Sequence, residues 1–251
     1  MKQISSKDNS LIQELSILKE KKYREEKQCF LIEGYHLVEE AYKASCLDKV
    51  FIVNDVDNHF ENVDTYLVNE TIIKKLSSTQ NPQNIVGVVR YLNNVDLNEL
   101  CSKDVKLILL DDVADPGNMG TIIRTSAALG YDGIISSLGS VDYYNDKVIR
   151  SSEGAIFKLP LLKKDLIETI KYLKAKGLSL YTTSLKATVS LDEIKPHKSF
   201  MLVFGNEAHG VSDEIINLSD ERIIIPMDND VESLNVAVSA GIIMYELKKL
   251  S

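Results

Sequence analysis

Cysteine is scarce and scattered in this 251-residue chain, with Cys29, Cys46 and Cys101 far apart. No C-x-x-C pair occurs and no histidine stands near them at ligand spacing. A disulfide framework and a structural zinc site are therefore not expected; reduced thiols in a cytoplasmic protein are, with no metal. Long hydrophobic runs are absent too, every apolar stretch falling well short of the roughly 18 residues a membrane span needs. The first residues, Met1 to Asp8, lack the apolar core of a secretory signal. Excess positive charge is missing: 29 Lys and Arg against 37 Asp and Glu give a net charge of -8. That balance argues against nucleic-acid binding by bulk electrostatics, which needs clustered cations, but leaves room for a local basic surface. The nucleotide fingerprints G-x-G-x-x-G and G-x-x-x-x-G-K-[ST] are also absent.

What is present is an ordinary globular composition, 44% hydrophobic and 26% charged. Residues 1–27 read as polar helix with Leu11, Leu15 and Leu18 at helical spacing, and they hold the densest basic cluster: Lys19, Lys21, Lys22, Arg24 and Lys27. Interruption by Glu20, Glu25 and Glu26 makes a solvated helix face the plain reading of that cluster. Strands are expected at 29–32, 49–53 and 85–91, with helices at 35–44 and 71–76, forming a small α/β unit over 1–98. A polar stretch without periodicity places a linker at 99–104. From 105 to 251 strands (105–110, 133–136, 178–183, 200–204, 222–225) alternate with helices (118–129, 165–176, 212–217, 233–249), the pattern of a parallel sheet covered on both faces.

Three glycine- or proline-bearing turns each follow a strand in the second half. They are Asp115-Pro116-Gly117-Asn118-Met119-Gly120 with Arg124-Thr125 behind it, Gly205-Asn206-Glu207-Ala208-His209-Gly210, and Ile225-Pro226-Met227 followed by Ser233-Leu234-Asn235-Val236. Such turns let backbone groups approach a ligand closely, so one site built from strand ends is expected. Asn118 is placed to cap the helix after the first turn, and Glu207 could cap the one from Ser212. Arg124 lies off the apolar stripe Met119, Ile122, Ser126 and Leu129; alone it reads as a surface arginine, and in a site as a guanidinium fork for phosphate. His209 is more simply a solvated turn residue than a base. The last helix is apolar nearly all round, which suits either a central core position or a second subunit as cover.

In order and spacing the three motifs resemble the SpoU/TrmH family of RNA ribose 2′-O-methyltransferases, across about residues 105–251. Arg150-Ser151-Ser152-Glu153-Gly154-Ala155 and Tyr181-Thr182-Thr183-Ser184 agree as well. The first half resembles the ribosomal-protein-like RNA-binding domain of many members, through Lys22-Tyr23-Arg24, Phe30-Leu31-Ile32-Glu33-Gly34 and Ser77-Ser78-Thr79-Gln80-Asn81-Pro82-Gln83. Departures are small: Ser126 and Ser239 where alanine is common, Val211 for leucine, and Asn229 for glycine.

The resemblance implies an α/β catalytic domain with a deep trefoil knot, an exception to unknotted topology, and a homodimer packed through that domain's first and last helices. It implies S-adenosylmethionine held by Thr182, Thr183, Gly205, Ile225, Met227, Ser233, Leu234 and Asn235. Arg124 takes the central catalytic role, with Asn118, Glu207, Ser233 and Asn235 shaping the site. Lys22, Arg24 and Arg150 are the candidate RNA contacts. A guanidinium hardly deprotonates, so gripping the phosphate beside the target ribose and stabilising the developing alkoxide suit Arg124 better than acting as base. The implied substrate is structured RNA, with ribosomal RNA favoured over transfer RNA because of the separate first domain. A transfer-RNA enzyme and a non-catalytic RNA-binding or ribosome-assembly factor of the same fold are the alternatives.

Overall fold

The computed structural model describes all residues except 54–58, 93–94, 102–103, 185–186, 188, 229–232 and 251. Asn229 and part of the expected 99–104 linker thus lie outside the described residues. The chain forms two compact units, Met1–Asn93 with Tyr144–Phe157, and Asn94–Tyr143 with Lys158–Ser251.

The first unit is built on β1 (Lys2–Gln3), α1 (Ser10–Ser16), α2 (Lys21–Lys27), β2 (Cys29–Glu33), α3 (Tyr35–Lys43), β3 (Leu47–Ile52), β4 (Asp64–Leu67), α4 (Glu70–Leu76) and β5 (Ile85–Arg90). Its sheet runs β1-β4-β3-β5-β2, parallel across β1, β4 and β3 and antiparallel from β3 through β5 to β2. The alternating burial of Cys29–Glu33 follows from the period-two pattern of a half-covered strand. Ile12, Leu15 and Leu18 pack with Phe51, Tyr66 and Ile72, and the rings of Phe51 and Tyr66 stack at 4.9 Å.

Residues 1–27 are not one helix. A 3-10 turn over Ile17–Lys19 follows α1, and the chain is extended at Glu20 (φ -93°, ψ 134°) before α2 begins. The reason is Arg24: its guanidinium turns inward and donates to the carbonyls of Leu18 (3.0 Å) and Lys19 (2.8 Å), satisfying a helix end that has run out of amide donors.

The second unit opens with α5 (Leu97–Leu100), whose Leu100 is buried in this unit's core, and continues through β6 (Lys106–Leu110), α6 (Pro116–Leu129) and β7 (Gly133–Ser136). After the excursion α7 (Asp146–Ser152), which belongs to the first unit, come β8 (Leu161–Lys163), α8 (Leu166–Ala175), β9 (Ser179–Thr183), β10 (Val189–Ser190), β11 (Phe200–Phe204), α9 (Asp213–Leu218), β12 (Glu221–Ile224) and α10 (Val236–Leu250). The sheet order is β10-β12-β9-β11-β6-β7-β8, parallel at every pairing. Central strands buried on both faces need continuous apolar sequence, as Phe200–Phe204 supplies.

Helix α6 starts at Pro116 with Asp115, not Asn118, as its N-cap: Asp115 Oδ1 accepts from the Asn118 amide at 2.9 Å. Proline at the first position is suited to this, since its missing N–H would have had no partner in the helix. Gly130 closes the helix in the left-handed conformation (φ 72°). Helix α10 begins at Val236, three residues later than the sequence suggests, with Asn235 Oδ1 accepting from Ala237 and Val238 amides. It packs along α6: Tyr131 OH donates to the Met244 carbonyl at 3.1 Å and Ser126 Oγ to Met244 Sδ at 3.4 Å.

Candidate active site

The carboxyl ends of parallel strands leave a crevice where loops diverge, and the three motifs occupy that position after β6, β11 and β12. Freed from capping α6, the Asn118 side chain donates from Nδ2 to Glu207 Oε1 at 2.9 Å, and its Oδ1 accepts from Asn235 Nδ2 at 3.0 Å. One residue from each motif thus joins a single chain of hydrogen bonds.

Glu207 does not cap α9. Its two oxygens accept the backbone amides of Ala114 (3.2 Å) and Asp115 (3.1 Å) as well as the Asn118 side chain. Desolvation alone would raise its pKa, but these donors, Asn118 first, together with its own backbone amide outweigh that and hold it below the ordinary carboxylate value. A carboxylate so bonded ties the second loop to the start of α6. The second loop is closed on itself by the Asn206–Gly210 backbone bridge, and Asn206 Nδ2 donates to the Asp112 carbonyl at 2.8 Å. Gly205 is required by close approach: a Cβ there would lie 2.0 Å from the Gly210 carbonyl carbon.

Beside this frame lies a cavity of about 530 Å³, lined among others by Thr183, Gly205, Ile225, Met227, Ser233, Leu234 and Asn235. Its size falls within the range for small-molecule and cofactor sites. Seven of the eight residues expected to hold a cofactor are therefore in its wall. The eighth, Thr182, turns to the other face of β9, is fully buried and donates to Ser219 Oγ at 2.9 Å. Glu207 also lines the cavity, while Asn118 supports it through Glu207 and Asn235.

Arg124 is not among the lining residues. It is exposed on α6, six residues and so about 9 Å along the helix from Asn118. Among the expected RNA contacts, Lys22 and Arg150 are exposed, with Arg150 paired to Asp146 at 2.7 Å, whereas Arg24 is only 6% exposed and its guanidinium is committed to backbone carbonyls. Among the described residues no cluster of His, Cys, Asp and Glu could hold a metal ion, and no helix is long and apolar enough to cross a membrane. Sequence reasoning overlooked Asn206 and the cap Asp115. The only signal for either was an Asx residue at a turn that must also end a strand.

Comparison with known proteins places these features. Residues 105–245 match the SpoU rRNA Methylase family and residues 9–87 the MRM3-like substrate binding domain. The chain is 36% identical over 252 residues to the 23S rRNA (guanosine(2553)-2′-O)-methyltransferase RlmP of Bacillus subtilis, covering 99% of this chain and all of that one. It is 26% identical to the mitochondrial rRNA methyltransferase 3 of Homo sapiens, over 96% of this chain and 72% of the other. The AdoMet-bound crystal structure of an rRNA methyltransferase from Sinorhizobium meliloti superposes with a TM-score of 0.89 at 28% identity, covering 99% of this chain and 97% of that one. With the three motifs in register around one cavity and a family match across more than half its length, this chain belongs to the SpoU rRNA methylase family.

Proposed function

We propose that the protein methylates a ribose 2′-hydroxyl in large-subunit ribosomal RNA, taking the methyl group from S-adenosylmethionine. The observation that carries this reading is the hydrogen-bonded chain Glu207–Asn118–Asn235 closing on a cavity of cofactor size. The residues present fit that cofactor: the side chains of Ile225, Met227 and Leu234 offer an apolar wall for an adenine, and Gly205 brings main chain to the cavity without a side chain in the way. When bound, the cofactor supplies an electrophilic sulfonium methyl.

The protein's own groups do the rest. Asn118, Glu207, Ser233 and Asn235 fix the loops so that cofactor and ribose meet in line, a positional effect that can account for much of a rate enhancement. Arg124 grips the phosphate beside the target ribose and stabilises the developing alkoxide as the hydroxyl proton passes to solvent, the new O–CH3 bond replaces the S–CH3 bond, and S-adenosylhomocysteine leaves. Helix α10 leaves Val238, Ile242 and Tyr245 exposed, at helical spacing along one stripe beside α6. A second copy of this chain covers that stripe, which sets the α6 surface carrying Arg124 at a dimer interface. The trefoil knot of the family and a cytoplasmic location complete the reading, and the first unit, through Lys22 and Arg150, contacts the RNA.

The test is transfer of labelled methyl to unmodified total RNA, fractionated by size, with the wild type and Arg124→Ala. Label in one fragment of large ribosomal RNA, lost with Arg124→Ala, is expected. Label confined to transfer RNA would replace the substrate, and cofactor binding without transfer to any RNA would overturn the enzymatic reading.

A further inference from the structure

Strands β11, β6, β7 and β8 are neighbours and parallel, so the loops that follow them emerge side by side at one end of the sheet. The cavity is walled by the loops after β9, β11 and β12. On the other side of the first motif stands loop 137–140, after β7, and its polarity is inverted. Ser137 and Ser140 are buried, while Leu138 between them is 67% exposed. Ser136 just before them is fully buried, and its hydroxyl has no hydrogen-bond partner among the described residues. A lone exposed leucine needs no explanation. One held outward over buried hydroxyls, at the end of the sheet that carries the site, opposes stability twice in one place.

Asp112, just after β6, holds the loop in this shape. Its φ of 54° is a left-handed conformation uncommon outside glycine. Its amide donates to Ser137 Oγ at 3.0 Å, and its carboxylate accepts the Ser137 hydroxyl in return. Gly139 closes on that carboxylate: a Cβ there would lie 2.3 Å from Asp112 Oδ1. Ser140 Oγ donates to the Leu110 carbonyl at 3.2 Å and the Val141 amide to the Val113 carbonyl at 3.0 Å. The Asp112 carbonyl accepts from Asn206 of the second motif. One strained residue thus joins a cavity-lining loop to the loop that displays Leu138, and strain of this kind persists where it serves a site.

The next strand end adds charge. Lys163, ending β8, donates to the Ser140 carbonyl, and with Lys164 it lines an open basin of about 520 Å³. In a chain of net charge -8, an apolar side chain with two lysines beyond it suits a nucleic-acid strand, with a base against the leucine and phosphates toward the lysines.

We infer that Leu138 is a substrate-contact residue that packs against an unstacked base beside the target ribose, and that Asp112 is the positioning residue that aims it. The inference rests on the RNA-methylating function proposed above and adds a specificity contact within the catalytic unit. A base pressed against an apolar wedge cannot restack on its neighbour, which leaves the ribose open to methyl transfer.

Steady-state methyl transfer to unmodified large ribosomal RNA tests this with Leu138→Ala, Asp112→Gly and the double variant. Each is paired with cofactor titration, sedimentation and a melting curve. Leu138→Ala trims an exposed side chain and should fold as the wild type does. It is expected to raise KM for RNA roughly tenfold with cofactor affinity unchanged. Leu138→Met, which keeps an apolar side chain of similar reach, should recover most of that loss. Asp112→Gly keeps the left-handed backbone and the carbonyl bond to Asn206 but cuts the carboxylate tie to Ser137, so KM should rise while cofactor affinity holds. Because both residues act through one contact, the double variant should be no worse than Leu138→Ala. Unchanged KM in Leu138→Ala, or altered sedimentation in its place, would overturn the inference. Effects that simply multiply in the double variant would remove Asp112 from it. Absence of transfer by the wild type would instead overturn the proposed function, so the two failures are distinct.

Discussion

Asn235 donates its side-chain amide to Asn118 Oδ1 at 3.0 Å, across 117 residues of sequence, while its own Oδ1 caps α10. The start of the last helix is thereby fastened to the start of α6, and the third motif is fastened to the first. Asn118→Ala removes both of its side-chain bonds, one of them to a carboxylate. Bonds of that kind contribute about 1.5–3 kcal/mol, so cofactor affinity should fall by roughly 10- to 100-fold, measured by calorimetry. Asn118→Asp should be worse than alanine at neutral pH, because it sets a second carboxylate against Glu207 Oε1.

Protonation gives an independent check on Glu207. Its folded pKa lies below the ordinary value of 4.5, so its contribution is fully present above that value and is lost as pH falls through the folded one. Cofactor affinity should accordingly be flat between about pH 6 and 9 and decline only in acid below the usual carboxylate range. A decline centred near neutrality would mean that Glu207 is not the group holding the loops.

Gly205→Ala should abolish the second loop's shape. Its Cβ would meet the Gly210 and Val211 backbone at 2.0–2.2 Å, where no side-chain rotation gives relief. A destabilisation of about 1–3 kcal/mol and loss of cofactor binding are expected, read from a melting curve and a titration of the same sample.

Dimerisation through α10 is tested on its exposed stripe. Ile242→Glu sits between Val238 and Tyr245, which are each 52% exposed, and should leave the fold intact. Sedimentation should show a monomer for the variant and a dimer for the wild type. A monomeric wild type would remove the proposed position of Arg124 at an interface.

The second unit was the more legible half because its strands are buried on both faces and therefore read as uninterrupted apolar runs, as in Leu107–Leu110. Its edges were not. Strand β8 carries Lys163, and β10 is two residues long, so neither shows a pattern beyond that of a loop. The site residues were legible as spacing, but their work was not. Thr182 and Thr183 are adjacent in sequence and face opposite sides of one strand, so only Thr183 reaches the cavity. Arg24 looked like its neighbours in a basic cluster, because a sequence does not display the orphaned carbonyls of Leu18 and Lys19 that draw it inside.

The bonds joining Asn118 to Glu207 and Asn235 also set a time order for the protein's own synthesis. They span 89 and 117 residues, so the cavity is completed only after nearly the whole catalytic unit has folded. A nascent chain still lacking Asn235 has the sheet's central strands but no frame for the cofactor. Once that segment docks, a ligand that binds only the finished arrangement stabilises it in proportion to the logarithm of its concentration. The cell's supply of cofactor would then govern how long the last helix stays in place as well as how fast the enzyme turns over.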